Sequence, residues 1–323
     1  MSTNERLIAI EGLKKYFNAS NAFGKKKGRV YAVDNINLDI YQGETLGLVG
    51  ESGCGKSTLG RTVLGLTPAT EGKVCFGKQD LGALKKEEMR QMRRHMQMIF
   101  QDPYSSLNPR MTVMEIIRSP LDAFGLGAKE EREEQVLQIM EKVGLGKQHL
   151  FRYPHEFSGG QRQRVVIAKA LILNPEFVVA DEPVSALDVS VRSQILNLMK
   201  DLQKEFNFTC LFISHDLSVV KHISDRVAVM YLGQIVELTG KKELYENPCH
   251  PYTQALLSAI PIPDARVKVQ RQILKGDIPS PYNPPSGCRF HTRCPRATEK
   301  CKTQPPAFQD IGGGHMVACH LFS

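Results

Sequence analysis

The run Gly50-Glu-Ser-Gly-Cys-Gly-Lys-Ser-Thr58 has the residue types and spacing to hold a chain of phosphates, matching G-x-x-x-x-G-K-[ST]. Gly50, Gly53 and Gly55 let the backbone curl so that successive N–H groups face one anion. Ser52 and Cys54 belong to the same loop, Cys54 as a bystander thiol. A helix beginning there adds its positive N-terminal end. Lys56 supplies a point charge for the β- and γ-phosphates. Ser57 offers a hydroxyl to Mg²⁺, and Thr58 a hydroxyl and an N–H to the α-phosphate. A second constellation, Phe177-Val-Val-Ala-Asp-Glu182, ends an apolar run in two acids. Asp181, at the carboxyl end of a buried strand, is placed to hold Mg²⁺ through water. Glu182, one residue on, is placed to polarise an attacking water. Two adjacent acids alone would read as a solvated loop, but beside a phosphate loop they read as the second half of a nucleotide site.

A third group is formed by cysteines. Four of the eight, Cys54, Cys75, Cys210 and Cys249, are scattered; Cys288, Cys294, Cys301 and Cys319 crowd the last segment as C-x5-C-x6-C-x17-C. The opening Met-Ser-Thr-Asn-Glu-Arg lacks the order of a secretion signal, so reduced thiols or metal ligands are expected rather than disulfides. The spacing fits neither the zinc ribbon nor the ferredoxin runs, and by itself does not choose among iron–sulfur, zinc and free thiols.

These residues need elements to position them. The chain has 323 residues, 41% hydrophobic and 24% charged, enough for roughly two domains and far from disordered or fibrous composition. No apolar run is long enough to span a membrane. The net charge of +8 favours anionic neighbours only weakly. Strands are expected at Leu7–Ile10, Ala32–Ile40, Thr45–Val49, Lys73–Phe76, Met96–Phe100, Phe177–Ala180, Thr209–Ile213 and Val227–Tyr231. Helices are expected at Ser57–Gly65, Lys129–Val143, Gly159–Leu173 and Asp188–Phe206. The alternation argues for an α/β fold with a mostly parallel sheet. A helical subdomain is expected over about 102–158, and a Pro- and Cys-rich extension, with little apolar sequence for a core, over 249–323.

Other short runs narrow the class. Phe157-Ser-Gly-Gly-Gln161 opens a helix between the two nucleotide motifs, with Gln101 ending an earlier strand, Asp188 in Ser185-Ala-Leu-Asp188, and His215 after Leu211-Phe-Ile213. In this order the chain resembles the ATP-binding-cassette ATPases. The resemblance implies an α/β nucleotide-binding domain over 1–248, with a RecA-like core, an antiparallel β subdomain and a helical subdomain. It also implies a head-to-tail pair of cassettes, in which Ser158, Gly159 and Gly160 of one face the phosphate loop of the other and Asp188 lies in the linking loop. Glu182 is then the general base; Gln101 and His215 position water, phosphate and metal, with Gln101 beside Ser57 and Asp181 at Mg²⁺. Phe17 is the best adenine partner and Tyr16 the reserve, although an insertion at Asn18–Arg29 sits beside them.

Gln101-Asp-Pro-Tyr-Ser-Ser-Leu-Asn-Pro109, Glu182-Pro-Val-Ser-Ala-Leu-Asp-Val-Ser190, His222-Ile-Ser-Asp-Arg226 and Asn247-Pro-Cys-His-Pro-Tyr-Thr-Gln-Ala-Leu-Leu-Ser-Ala-Ile-Pro261 are similar to the oligopeptide/dipeptide importer ATPases, nearest their F-type subunit. This implies MgATP hydrolysis on the cytoplasmic face of the cell membrane as a peripheral subunit. The implied partners are a paralogous ATPase (or a second copy), two integral permeases and an extracytoplasmic peptide-binding protein, without nucleic acid. Tyr104 and Leu107 are candidate apolar anchors for a permease helix, with burial in the chain's own core as the alternative. A [4Fe–4S] cluster on Cys288, Cys294, Cys301 and Cys319 is implied in the same way, with Zn²⁺ or free thiols as alternatives. A soluble cassette acting on ribosomes or DNA is the rival. Such chains usually carry two cassettes or a long coiled coil, whereas here one phosphate loop is followed by about a hundred residues without sustained heptads before the signature.

Overall fold

The computed structural model describes residues 5–20, 26–260, 272, 274 and 276–322. Its strands are β1 (Arg6–Ser20), β2 (Lys26–Tyr41), β3 (Thr45–Val49), β4 (Glu71–Phe76), β5 (Gln79–Asp80), β6 (Met96–Ile99), β7 (Phe177–Asp181), β8 (Thr209–Ser214), β9 (Arg226–Tyr231), β10 (Gln234–Gly240), β11 (Phe308–Asp310) and β12 (Met316–Ala318). Its helices are α1 (Lys56–Val63), α2 (Lys86–Met92), α3 (Pro103–Ser106), α4 (Val113–Phe124), α5 (Lys129–Lys142), α6 (Gly159–Leu171), α7 (Val189–Phe206), α8 (Leu217–Ile223), α9 (Lys241–Glu246), α10 (Pro251–Ser258) and α11 (Glu299–Thr303). Two compact units result: Met1–Ile40 with Thr45–Ala83 and Ser214–Ser323, and Tyr41–Glu44 with Leu84–Ile213. Every strand and helix expected from the sequence is present, most within about two residues, but β1 runs ten residues beyond the expected Ile10 and β2 begins six before the expected Ala32. Of the expected insertion at Asn18–Arg29, residues 21–25 lie outside the described residues, and the flanks are strand.

The first unit contains an antiparallel sheet in the order β2-β1-β4-β5, with Ile8 opposite Phe76 and Ile10 opposite Val74. It also contains the strand run β11-β12-β10-β9-β3. β3 lies parallel to β9, Val49 opposite Val229, and is buried at every residue. A strand covered on both faces reads as an unbroken apolar run, which is why Thr45–Val49 was legible.

The extension from 249 falls in this first unit. Its few apolar residues predict a weak core; the structure gives it a shared one instead. β12 pairs antiparallel with β10, Glu237 opposite Val317 and Leu238 opposite Met316. Tyr252 and Phe290 close on Tyr231 of β9, with ring centroids 4.7 to 5.4 Å apart across the three pairs. Three buried aromatic rings give a small segment a large apolar payload.

In the second unit β8-β7-β6 run parallel, with Phe177 opposite both Met96 and Thr209. β7 and β8 are buried throughout. The expected helical stretch is present as α3, α4 and α5. Thr112 and Glu115 cap α4 reciprocally: the Thr112 N–H donates to Glu115 Oε2 at 2.7 Å, and the Glu115 N–H to Thr112 Oγ1 at 3.4 Å. Among the described residues no helix is long and apolar enough to cross a membrane.

Candidate functional site

The phosphate loop leaves β3 at Gly50 and enters α1 at Lys56. Gly55, which caps α1, has φ +108°, and a Cβ there would run into the Ala32 carbonyl and the Met230 side chain. Only glycine meets both demands. Lys56 is 4% exposed, and its Nζ donates to the carbonyls of Gly50 at 2.8 Å and Glu51 at 2.9 Å. The ammonium is thus held by the loop that it serves. Ser57 and Thr58 follow in the first turn of α1. Cys54 is 5% exposed, and burial pushes its thiol up from the ordinary value.

Two residues outside the sequence motif complete the loop. The N–H of Glu51 donates to the Tyr252 hydroxyl at 3.0 Å, and the Glu51 carboxylate accepts both guanidinium arms of Arg293, at 2.7 and 3.1 Å. No sequence signal marks this contact, because its members come from three distant segments. Of the two candidate adenine partners, Tyr16 donates its hydroxyl to Asp34 and lies edge-on to Tyr31 at 4.7 Å. Phe17 is 42% exposed, with Lys15 Nζ 4.8 Å from its ring centre. Tyr16 is therefore committed to its own fold, and Phe17 is the ring that remains accessible. His215 is exposed just before α8, whose N-terminus Asp216 caps through Ser218 N–H at 2.8 Å.

The second unit carries the acids. Asp181 ends β7, 1% exposed, opposite Ile213. Glu182 has φ +47°, and its N–H donates to the Ile213 carbonyl at 3.0 Å. A non-glycine residue in this region stores about 1–3 kcal/mol of strain, which the flanking strand must hold. The Gln101 amide donates to Glu182 Oε2 at 3.0 Å, so the structure brings together two groups that are 81 residues apart. Ser158 caps α6, with its Oγ accepting from Gln161 N–H at 3.3 Å and its own N–H donating to Gln161 Oε1 at 3.1 Å. Gly159 and Gly160 form the first turn of that helix, and a Cβ on Gly160 would sit 2.5 Å from Val191. Phe157 before them is buried. Asp188 is the exposed cap position of α7. Of the two candidate anchors, Leu107 is 3% exposed and belongs to the core, while Tyr104 is 67% exposed with the Arg162 guanidinium 4.1 Å from its ring centre.

In the extension, Cys288, Cys294, Cys301 and Cys319 line one cavity of about 90 Å³, with His250, His291 and His320 on its wall. The Arg296 N–H donates to Cys294 Sγ at 3.4 Å, and Thr298 Oγ1 lies 3.3 Å from Cys301 Sγ. Burial pushes the Cys288 thiol up to about 11, and those of Cys294 and Cys319 upward as well. All eight cysteines are free of disulfides. A different trio, Glu237, Cys249 and His315, also brings its donor atoms within 4.8 Å of one another. Its carboxylate is already filled by the Cys249 N–H at 2.7 Å, the His250 N–H at 3.0 Å and His315 Nε2 at 2.7 Å. That arrangement anchors the extension to β10.

Residues 33–185 match the ABC transporter family model, and residues 236–301 match the oligopeptide/dipeptide transporter C-terminal region. The oligopeptide transport ATP-binding protein AppF of Bacillus subtilis (strain 168) is 56% identical, covering 100% of this chain and 99% of that one. A putative peptide import ATP-binding protein of Brucella ovis is 52% identical over 98% of both. Among solved structures, the dimeric ATP-binding cassette MJ0796 in a post-hydrolysis state with ADP and phosphate aligns with TM-score 0.65 at 30% identity, covering 72% of this chain and 98% of that one. With the phosphate loop, the acid pair and the capped signature helix all in place, the chain belongs to the ATP-binding cassette transporter family, as an ATPase subunit of its oligopeptide/dipeptide branch.

Proposed function

We propose that the chain hydrolyses MgATP to drive peptide uptake through membrane partners, with the residue roles that follow. The observation that carries the catalytic part is the Gln101–Glu182 contact at the end of buried β7, directly after Asp181. Lys56 and the loop N–H groups bind the β- and γ-phosphates. Ser57, Asp181 and Gln101 are the holders of Mg²⁺, which supplies charge neutralisation on the phosphates. Glu182 accepts a proton from water as the water oxygen bonds to the γ-phosphorus and the bond to the ADP oxygen breaks. His215 and Gln101 orient that water. Phe17 stacks on adenine. Ser158, Gly159 and Gly160 offer their free N–H groups to the γ-phosphate held by a second cassette, with Asp188 in the joining loop. The second cassette is a paralogous subunit or another copy.

Peptide as cargo is supported by the C-terminal region match and by the names of the relatives; two integral permeases, an extracytoplasmic binding protein and a place on the inner membrane face are the partners and location that go with that reading. The segment after Gln101, with Tyr104 exposed, is the surface for a permease helix. Purification from detergent-solubilised membranes is expected to bring down two integral subunits, and peptide should stimulate phosphate release by that complex. A complex with ribosomes or DNA, or one that consumes no MgATP, would overturn the reading.

The cysteine cavity fits a thiolate-held group: four soft donors line it, and backbone and hydroxyl groups lie within reach of two of the sulfurs. A [4Fe–4S] cluster is the occupant proposed for the four cysteines, with one zinc ion or free thiols as the alternatives. Bound there, such a group supplies a cross-link in a segment with few apolar residues.

A further inference from the structure

The loop that is to receive phosphates carries a carboxylate of its own. Glu51 is the second residue of the loop, and its negative charge would oppose a polyanion unless cancelled. Arg293 cancels it. The guanidinium takes both carboxylate oxygens, at 2.7 and 3.1 Å, with the Arg293 side chain 8% and the Glu51 side chain 24% exposed. A paired fork at this exposure is held in one geometry and is little screened. Tyr252 fixes the same residue from the backbone side by accepting the Glu51 N–H, and the Glu51 carbonyl in turn accepts Lys56 Nζ. One loop residue thus joins the extension on one side and the phosphate-binding lysine on the other.

Arg293 does not act from a loose loop. It lies between Cys288 and Cys294, two of the residues lining the cysteine cavity. Within that interval Arg289 makes a parallel contact, with Asp34 and the Leu232 carbonyl, and Asp34 also receives the Tyr16 hydroxyl. The segment bounded by these cysteines therefore grips the phosphate loop and β2, whose Asp34 in turn holds Tyr16, the neighbour of Phe17 on β1.

We propose that Arg293 is a positioning residue for the nucleotide: the C-terminal extension sets the affinity of the phosphate loop by neutralising and pinning Glu51. This rests on the assignment of the loop to MgATP, and it adds a control of that site by a segment more than two hundred residues away in sequence. An intact cysteine-lined extension makes the loop ready for phosphate; a disordered one leaves an uncompensated negative charge on the loop.

The test is calorimetric titration of the full chain with MgATP, with parent and Lys56→Ala as references. Arg293→Gln removes the charge and one bond while keeping a polar side chain; its affinity should fall about tenfold, within the usual range of coupling between sites. Glu51→Gln/Arg293→Gln removes the uncompensated carboxylate as well and should recover most of that loss, a rescue that a merely structural role would not give. Arg293→Gln binding within twofold of parent, or a double variant as weak as the single one, overturns the proposal whatever the melting temperatures. Should Arg293→Gln fail to fold, Arg293→Lys carries the test: it keeps the charge without the fork, about threefold weaker binding is expected, and unchanged affinity overturns the proposal. If parent and Lys56→Ala bind MgATP alike, it is the assignment of the loop itself that falls.

Discussion

Glu237→Gln is an isosteric change with a cost that follows from counting donors. Glu237 is 0% exposed at the middle of β10, and its oxygens accept three hydrogen bonds, two at Oε1 from Cys249 N–H and His315 Nε2, and one at Oε2 from His250 N–H. A carboxamide has one accepting oxygen. Placed where it keeps the pair at Oε1, its NH₂ confronts the His250 N–H, leaving a buried donor without a partner. That costs about 1–3 kcal/mol, and loss of charge assistance in the two remaining bonds adds about 1 more. The expected destabilisation is about 2–4 kcal/mol, or a melting temperature lower by roughly 3–6 °C for a chain of this size. Thermal melting followed by circular dichroism reads the shift, and limited proteolysis should cut the variant first after residue 249. A melting temperature within 1 °C of parent, a shift of ~0.7 kcal/mol or less, would refute the reasoning that this carboxylate anchors the extension.

Three further outcomes are expected. Lys56→Ala should weaken MgATP binding at least about a hundredfold, because a buried charged donor to the phosphates is removed; equilibrium titration with a fluorescent ATP analogue reads it. His250 is fully buried, accepts the Tyr252 N–H at Nδ1, and is pulled down to about 3 by desolvation. Its folded value lies below its unfolded one, so the stability it contributes is complete above about pH 6.5 and drains away as acid protonates the unfolded chain. Between pH 7 and 5 the parent should lose about 2 kcal/mol more than His250→Asn, whose side chain still caps α10; chemical denaturation at both pH values reads the difference. Anaerobically purified chain should contain about four irons and four sulfides, and replacing Cys288 and Cys301 by serine should abolish both; zinc alone, or no metal, would retire the cluster.

Much of the catalytic layout was legible because it is written locally. Gly50–Thr58 and Phe177–Glu182 each lie in one stretch, and the fully buried β3, β7 and β8 read as apolar runs whatever surrounds them. β10 escaped notice because Gln234-Ile-Val-Glu-Leu-Thr-Gly240 carries a charge at its centre, and only the fold supplies that charge with three donors. β11 and β12 are three residues each, too short for periodicity, and exist through pairing. The extension looked core-poor because its core is borrowed from Tyr231. The Arg293–Glu51 pair spans 242 residues, and neither residue type stands out where it occurs. That Tyr16 is held by Asp34 while Phe17 stays exposed is not legible either, because no local pattern names that partner.

The account stands most directly on Glu182. Phosphate release should be measured for the membrane-extracted complex containing either the parent chain or Glu182→Gln, together with the nucleotide that each retains. The account predicts that the variant holds MgATP as tightly as parent while its turnover falls at least about a hundredfold, the usual worth of a general base. Hydrolysis at the parent rate with the carboxylate gone would contradict it.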